Sequence, residues 1–186
     1  ENMPVDKRWC FIHATHLNET ETVGLAHSKA VAGLCPTTEA NLGDGIFNAS
    51  AFLEHGGTIG IGSDSNVKIA LGEELRMLEV SQRLRDKRRV ILTTEETPSN
   101  GRRLYQATAM GGAQALGRDS GRIAVGALAD LVALDDDHFE VAGLTEDTIL
   151  DTWIFGCSDN IVTDVWAAGR HVVIEGRHTQ RHHIIE

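Results

Sequence analysis

Two short apolar runs in this chain each end in side chains able to move protons. Thr58-Ile59-Gly60-Ile61-Gly62 leads into Ser63-Asp64-Ser65, and Trp9-Cys10-Phe11-Ile12 leads into His13-Ala14-Thr15-His16. A carboxylate and an imidazole are the groups most used for general acid–base work near neutral pH. In a parallel α/β barrel, the loops that follow the strands gather at one mouth, and chemistry sits there. Gly60 and Gly62 leave room for close backbone approach, and Ser63 and Ser65 can hold the carboxylate in one rotamer. Each run alone also has a plainer reading. Ser-Asp after a strand is commonly a cap or a turn, and a strand-end histidine is commonly a satisfied core residue. The pairing of two such strand ends is what favours chemistry. His16 reads either as support for the site or as surface. His27, His55, His138, His171, His178, His182 and His183 read as structural or solvated.

The elements that would position these groups alternate between short strand and helix. Trp9 to Ala14 predicts a strand, and Asn18 with Glu21 predicts a reciprocal cap on a helix reaching Lys29. Val31 to Cys35 is a second apolar strand, stopped by Pro36. The polar, glycine-containing stretch from Pro36 to Gly45 reads as a long loop at the mouth, where Glu39, Asn41 and Asp44 read either as substrate-gating groups or as plain loop polarity, which predicts the same residues. Asn48 to His55 reads as a helix ended by Gly56-Gly57, and the third strand, Thr58 to Gly62, follows. Leu71, Leu75 and Leu78 recur at helical spacing within an amphipathic helix over 71–89. The basic run Arg83 to Arg89 falls at its end and complements the helix dipole. A second long helix runs from Gly101 to Leu116, its small residues implying tight packing against a neighbour. Strand and helix alternating three times is the pattern of a parallel sheet.

From Gly121 the pattern changes. Ile123 to Val125, Ala129 to Leu134, Val162 to Ala167 and His171 to Ile174 read as short strands, with a helix at Glu146 to Phe155. Gly169-Arg170 reads as a hairpin turn. The expected division is residues 1–120 for the strand–helix units and 121–186 for a small β module. There is no internal repeat and no low-complexity segment.

Composition narrows the partners. The 186 residues carry 27 acidic and 17 basic side chains, a net charge of −10. A nucleic-acid or anionic-membrane surface needs clustered positive charge, so neither is expected as a partner. Cys10, Cys35 and Cys157 show no C-x-x-C spacing, and Cys10 and Cys35 read as small buried hydrophobes. A reducing, cytoplasmic setting follows. No apolar run is long enough for a membrane span, and no signal peptide is evident. The chain opens Glu1-Asn2-Met3-Pro4 without an initiator methionine, and reads as a piece of something longer.

The order of these segments resembles the amidohydrolase superfamily, whose members hold a metal at the mouth of a (β/α)8 barrel beside a small β-sandwich. His13 in Ile12-His13-Ala14-Thr15-His16-Leu17 matches the strand-six histidine, and Asp64 in Gly62-Ser63-Asp64-Ser65 the strand-eight aspartate. Ala107 to Gly117 and Gly126 to Asp135 match the final helix and the return into the sandwich. Within the superfamily the chain is most similar to the formimidoylglutamate deiminases, on His13-Ala14-Thr15-His16-Leu17, on Leu34-Cys35-Pro36-Thr37-Thr38-Glu39-Ala40-Asn41-Leu42-Gly43-Asp44-Gly45, and on Glu74-Leu75-Arg76-Met77-Leu78-Glu79.

The resemblance implies an α/β fold, the carboxy-terminal part of a metal-dependent TIM barrel (strands six to eight) with part of a β-sandwich. It implies hydrolysis of N-formimino-L-glutamate to N-formyl-L-glutamate and ammonia, in histidine degradation, by a homodimer. The cofactor implied is one Zn2+ per active site, with another divalent metal as the alternative. Asp64 would be both metal ligand and proton carrier, and His13 would stabilise the developing tetrahedral centre. The family's His-x-His on strand one and His-x-x-Glu on strand five are absent. They would lie before Glu1, in an amino-terminal half of the barrel with which this chain would pair, together with most contacts to the small-molecule substrate. Two other readings stand beside this one: a superfamily deaminase or hydrolase for a purine, pyrimidine or triazine, and a catalytically inert structural fragment.

Overall fold

In the computed structural model, which describes residues 3–65, 68–157 and 161–185, a three-stranded parallel sheet lies among helices and is followed by a four-stranded antiparallel sheet. The first sheet has the order β1 (Cys10–Ile12), β2 (Val31–Leu34), β3 (Thr58–Ile61). Its register sets Cys10 beside Val31 and Val31 beside Thr58. Parallel neighbours need a crossover, and helices supply it here. The crossover from β1 to β2 is α1 (Glu19–Ser28). At its start the Asn18 side chain accepts from Glu21 N–H while the Glu21 carboxylate takes Asn18 N–H, both at 2.9 Å, as the sequence predicts. The central strand β2 is buried along its whole length, which is why its residues are continuously apolar.

The expected loop from Pro36 to Gly45 is instead mostly helix. α2 spans Pro36–Leu42, and α3 (Ala49–Glu54) follows it before β3. Pro36 does end the strand, but it also occupies the first helical position, where a missing N–H costs nothing and its fixed φ suits a helix. Gly43 closes α2 in the left-handed region at φ 72°. α2 is braced from outside: Thr37 donates through its N–H (2.9 Å) and its hydroxyl to the buried Glu74 carboxylate.

Glu74 belongs to α4 (Leu71–Asp86), which ends before the expected residue 89 because Lys87 turns left-handed. The chain beyond α4 is tied back by the buried Glu79, which accepts from Ile91 N–H at 2.8 Å, Leu92 N–H at 2.9 Å and Arg83 Nε at 2.7 Å. α5 (Asn100–Ala115) lies directly on β3, and Gly111 is the point of closest approach. A Cβ there would sit 2.6 Å from the Ile59 carbonyl carbon and nearer still to its oxygen. Leu34, Phe52, Ile59, Leu75 and Leu104 are wholly buried between sheet and helices and form the centre of the core.

The second sheet runs β4 (Leu131–Leu134), β5 (Val162–Ala167), β6 (Arg170–Ile174), β7 (Arg177–His178), each pair antiparallel. The expected strand at Ile123 to Val125 does not form; Ile123 and Val125 are 91% and 109% exposed and meet no partner strand. The hairpin turn between β5 and β6 is Ala168-Gly169, one residue earlier than predicted, with φ of 49° and 78°. Positive φ at both central residues is the tight-hairpin geometry that favours X-Gly, and Glu175-Gly176 repeats it between β6 and β7. α6 (Asp147–Phe155) packs against α4 and α5, its Asp151 accepting Gly101 N–H at 2.6 Å and its Asp147 pairing with Arg102 at 2.8 Å. A short α7 (Arg181–Ile185) follows β7. No helix among the described residues is long and apolar enough to cross a membrane.

Candidate active site

Because β1, β2 and β3 are parallel and in register, the residues that follow each of them emerge at one edge of the sheet. The ladder continues past the strands themselves: His13 N–H donates to Gly33 carbonyl at 2.7 Å, and Gly62 N–H to Leu34 carbonyl at 3.0 Å. Main chain therefore fixes where His13, Cys35 and Asp64 begin. His13, Ala14 and Asp64 then adopt φ of 66°, 51° and 51°. The left-handed region is uncommon outside glycine, though His and Asp enter it more readily than most. It swings the chain sharply at each strand end and leaves the side chains at the mouth.

The two predicted groups do meet. His13 Nε2 lies 3.7 Å from Asp64 Oδ2, with about a third of each side chain open to solvent. On the other edge of the ring, His13 Nδ1 lies 3.2 Å from Glu39 Oε1. Glu39 stands on the first turns of α2 with 5% exposure, and the same Oε1 accepts the Cys35 N–H at 2.8 Å. Burial pushes the Glu39 carboxyl above its ordinary range, against the bonds from Cys35 and His13 that favour the charged form. The Cys35 thiol is pushed up to about 11, first by burial and then by the carboxylates of Glu39, Asp64 and Glu74. An open depression of about 550 Å3 beside His13 is lined also by Thr15, His16, Glu21 and Asp44. His16 is thus exposed at the mouth, next to the paired residues but outside their contacts.

Cys35 is buried, as its apolar run predicts, while Glu39, which loop polarity alone explains in the sequence, is the residue that sequence reasoning misses. The available signal for Glu39 was Pro36 as a helix start with Gly43 as its stop, which sets a carboxylate one turn after Cys35.

The donor set suits a zinc ion. Ligand atoms of His13, Cys35 and Asp64 all lie within 4.8 Å of one another. Carboxylate and imidazole donors at about 2.0–2.2 Å from one tetrahedral zinc stand roughly 3.3–3.6 Å apart, close to the His13–Asp64 separation. A catalytic zinc usually has three protein ligands and an open position; the Cys35 thiol, pushed up to about 11, is a poor donor, so His13 and Asp64 make a partial set.

The sequence profile of the amidohydrolase family matches residues 2–172. Formimidoylglutamate deiminase from Pseudomonas aeruginosa is 53% identical over 178 residues, covering 96% of this chain and 39% of the relative. An amidohydrolase from Brucella melitensis superposes with a TM-score of 0.89 at 48% identity, over 97% of this chain and 40% of that one. An adenosine deaminase from Xanthomonas campestris, solved with bound zinc, superposes with a TM-score of 0.79 at 26% identity, over 94% and 39%. The chain thus spans about two fifths of the length of the relatives it matches.

Proposed function

The chain belongs to the amidohydrolase family, and on that premise we propose that it forms part of a zinc-dependent deiminase acting on N-formimino-L-glutamate. The products are N-formyl-L-glutamate and ammonia. The observation that carries the substrate is the likeness to the Pseudomonas deiminase, which extends across both sheets of this chain. We read residues 1–120 as strands six to eight of a (β/α)8 barrel with their helices, and 121–186 as part of a β-sandwich. The other zinc ligands and the groups that grip the substrate carboxylates belong to the remaining length of such an enzyme. We place it in the cytoplasm, as a homodimer.

Asp64 is the residue of this chain assigned to the metal. Zinc, when bound, supplies Lewis acidity that brings the pKa of water towards about 7. Asp64 takes a proton from the attacking water as its oxygen bonds to the formimino carbon. His13 Nε2 accepts a hydrogen bond from the O–H left on that oxygen and so steadies the tetrahedral centre. Asp64 then delivers its proton to the nitrogen that leaves. The C–N bond breaks as the hydroxyl gives up its remaining proton through His13, so that ammonia departs with both protons of the water and the carbon keeps the oxygen as a formyl group. General acid–base help of this kind is worth about 10²–10⁴ in rate.

The test is ammonia release by the intact enzyme, given N-formimino-L-glutamate, adenosine or a triazine at equal concentration. Release from the formimino compound alone is expected. Release from adenosine or the triazine, with none from the formimino compound, would move the assignment to another branch of the family.

A further inference from the structure

We propose that Glu39 is a positioning residue for His13: its buried carboxylate holds the imidazole as the Nδ1–H tautomer and so aims the Nε2 lone pair at the mouth of the sheet. The role deepens the deiminase reading and rests on it for its catalytic meaning, but the geometry stands without a substrate.

An ionised carboxylate only accepts hydrogen bonds, while one nitrogen of a neutral imidazole donates and the other accepts. Glu39 Oε1 stands 3.2 Å from His13 Nδ1. If Nδ1 were bare, two lone pairs would face each other across a contact in which Glu39 is 5% exposed. With the proton on Nδ1 that contact becomes a hydrogen bond, and Nε2 is left as the basic nitrogen. Nε2 is the atom that faces Asp64 at 3.7 Å. A water lying between these two groups could then give hydrogen bonds to both.

Glu39 is held well enough to impose this choice. Its Oε1 is already anchored by the Cys35 N–H at 2.8 Å. Its helix is pinned to α4 through Thr37 and Glu74. The main chain of His13 is set by its own bond to Gly33. What stays free in His13 is the orientation and tautomer of its ring, and Glu39 contacts the ring edge that decides both. A carboxylate partner behind a metal-bound histidine typically contributes 10–100-fold in activity, and an effect of that size is expected here.

The rival reading makes Glu39 a cap for α2 and nothing more. Glu39→Gln keeps an oxygen for both Cys35 N–H and His13 Nδ1–H. Glu39→Met keeps the length and removes the acceptor. The tautomer is read by solid-state 15N NMR of the sedimented, 15N-histidine-labelled chain, at a pH where the ring is neutral, with His13→Gln assigning the signal. Sedimented samples serve whether or not the chain associates. We expect Nδ1–H in the unsubstituted chain and in Glu39→Gln, and a shift towards Nε2–H in Glu39→Met. In the intact enzyme kcat should fall about 10–100-fold for Glu39→Met at little-changed KM, with Glu39→Gln recovering most of it. An Nε2–H ring in the unsubstituted chain overturns the proposal whatever becomes of the variants. So does a Glu39→Met protein that keeps both the Nδ1–H ring and full kcat. The NMR arm needs no substrate, so an enzyme inert towards N-formimino-L-glutamate would refute the deiminase reading without touching the positioning role.

Discussion

Two adjacent glycines on α5 should respond to the same substitution with opposite signs. A Cβ at Gly111 would lie 2.6 Å from the Ile59 carbonyl carbon, whereas one at Gly112 would meet nothing within 4 Å. The atom facing Gly111 is main chain of the central part of β3, which cannot rotate aside. α5 and β3 must therefore separate by roughly 1 Å, and overpacking of this kind costs about 1–3 kcal/mol. At Gly112 an alanine only relieves the helix of a glycine, a gain of up to about 1 kcal/mol. The two variants should differ by roughly 2–4 kcal/mol. For a chain of this size each kcal/mol moves Tm by about 2–4 °C, so their melting temperatures should stand about 5–15 °C apart, Gly112→Ala the higher. The site should register the same displacement, because β3 carries Asp64 at its end, 3.7 Å from His13. A misplacement of about 1 Å can cost 10²-fold in rate. Thermal denaturation of both variants, with ammonia release in the intact enzyme, tests the argument. Tm values within about 2 °C of each other would show that α5 does not rest on β3 through Gly111.

Asp64→Asn should lower kcat of the intact enzyme at least 10²-fold, since the amide can neither take the proton from water nor balance the metal's charge; more than about a tenth of kcat remaining would contradict its role. His13→Gln should lower kcat strongly while metal analysis still finds most of the zinc; zinc lost in step with activity would make His13 a ligand. The 186-residue chain by itself should self-associate in sedimentation velocity and release no ammonia. Among the described residues β1 and β3 each pair on one side only, Ile12 and Met110 are 59% and 62% exposed, and the metal's donor set is partial. A monodisperse monomer holding zinc and turning over substrate would refute that expectation.

The parallel sheet was legible because its signals are local. Apolar runs such as Val31–Leu34 and a reciprocal cap at Asn18 and Glu21 each declare themselves within a few residues. α2 was not, because Pro36 fits both a strand's end and a helix's beginning, and only the bonds to Glu74, 37 residues away, favour the helix. Ile123 and Val125 have the apolar alternation of a strand, but a strand also needs a neighbour, which no local pattern supplies. Glu74, Glu79 and Gln82 lie on or beside the face that Leu71, Leu75 and Leu78 define, but their polar side chains argue for solvent when read one at a time. Each is buried and bonded to main-chain groups of a distant segment: Thr37, Ile91 with Leu92, and Phe47. Of the site, His13 and Asp64 were legible as strand-end residues. Glu39 was not, since its meaning depends on a ring 26 positions earlier.

The geometry also explains how a site can be ordered and still open. His13 and Asp64 each leave about a third of the side chain in solvent, so burial does not hold them. Main chain does, through ladder bonds at 2.7 and 3.0 Å that continue beyond the regular strands into the left-handed turns. The cost of those turns is carried by a sheet whose central strand is buried throughout. Among the described residues, side-chain order is added to His13 from one direction, by the Glu39 carboxylate behind its ring, itself fixed by Cys35 N–H. Among the described residues, the exposed third of His13 and of Asp64 is therefore open to water, substrate and further ligands. A site closed around these two residues by packing would have had to open before any of those could enter.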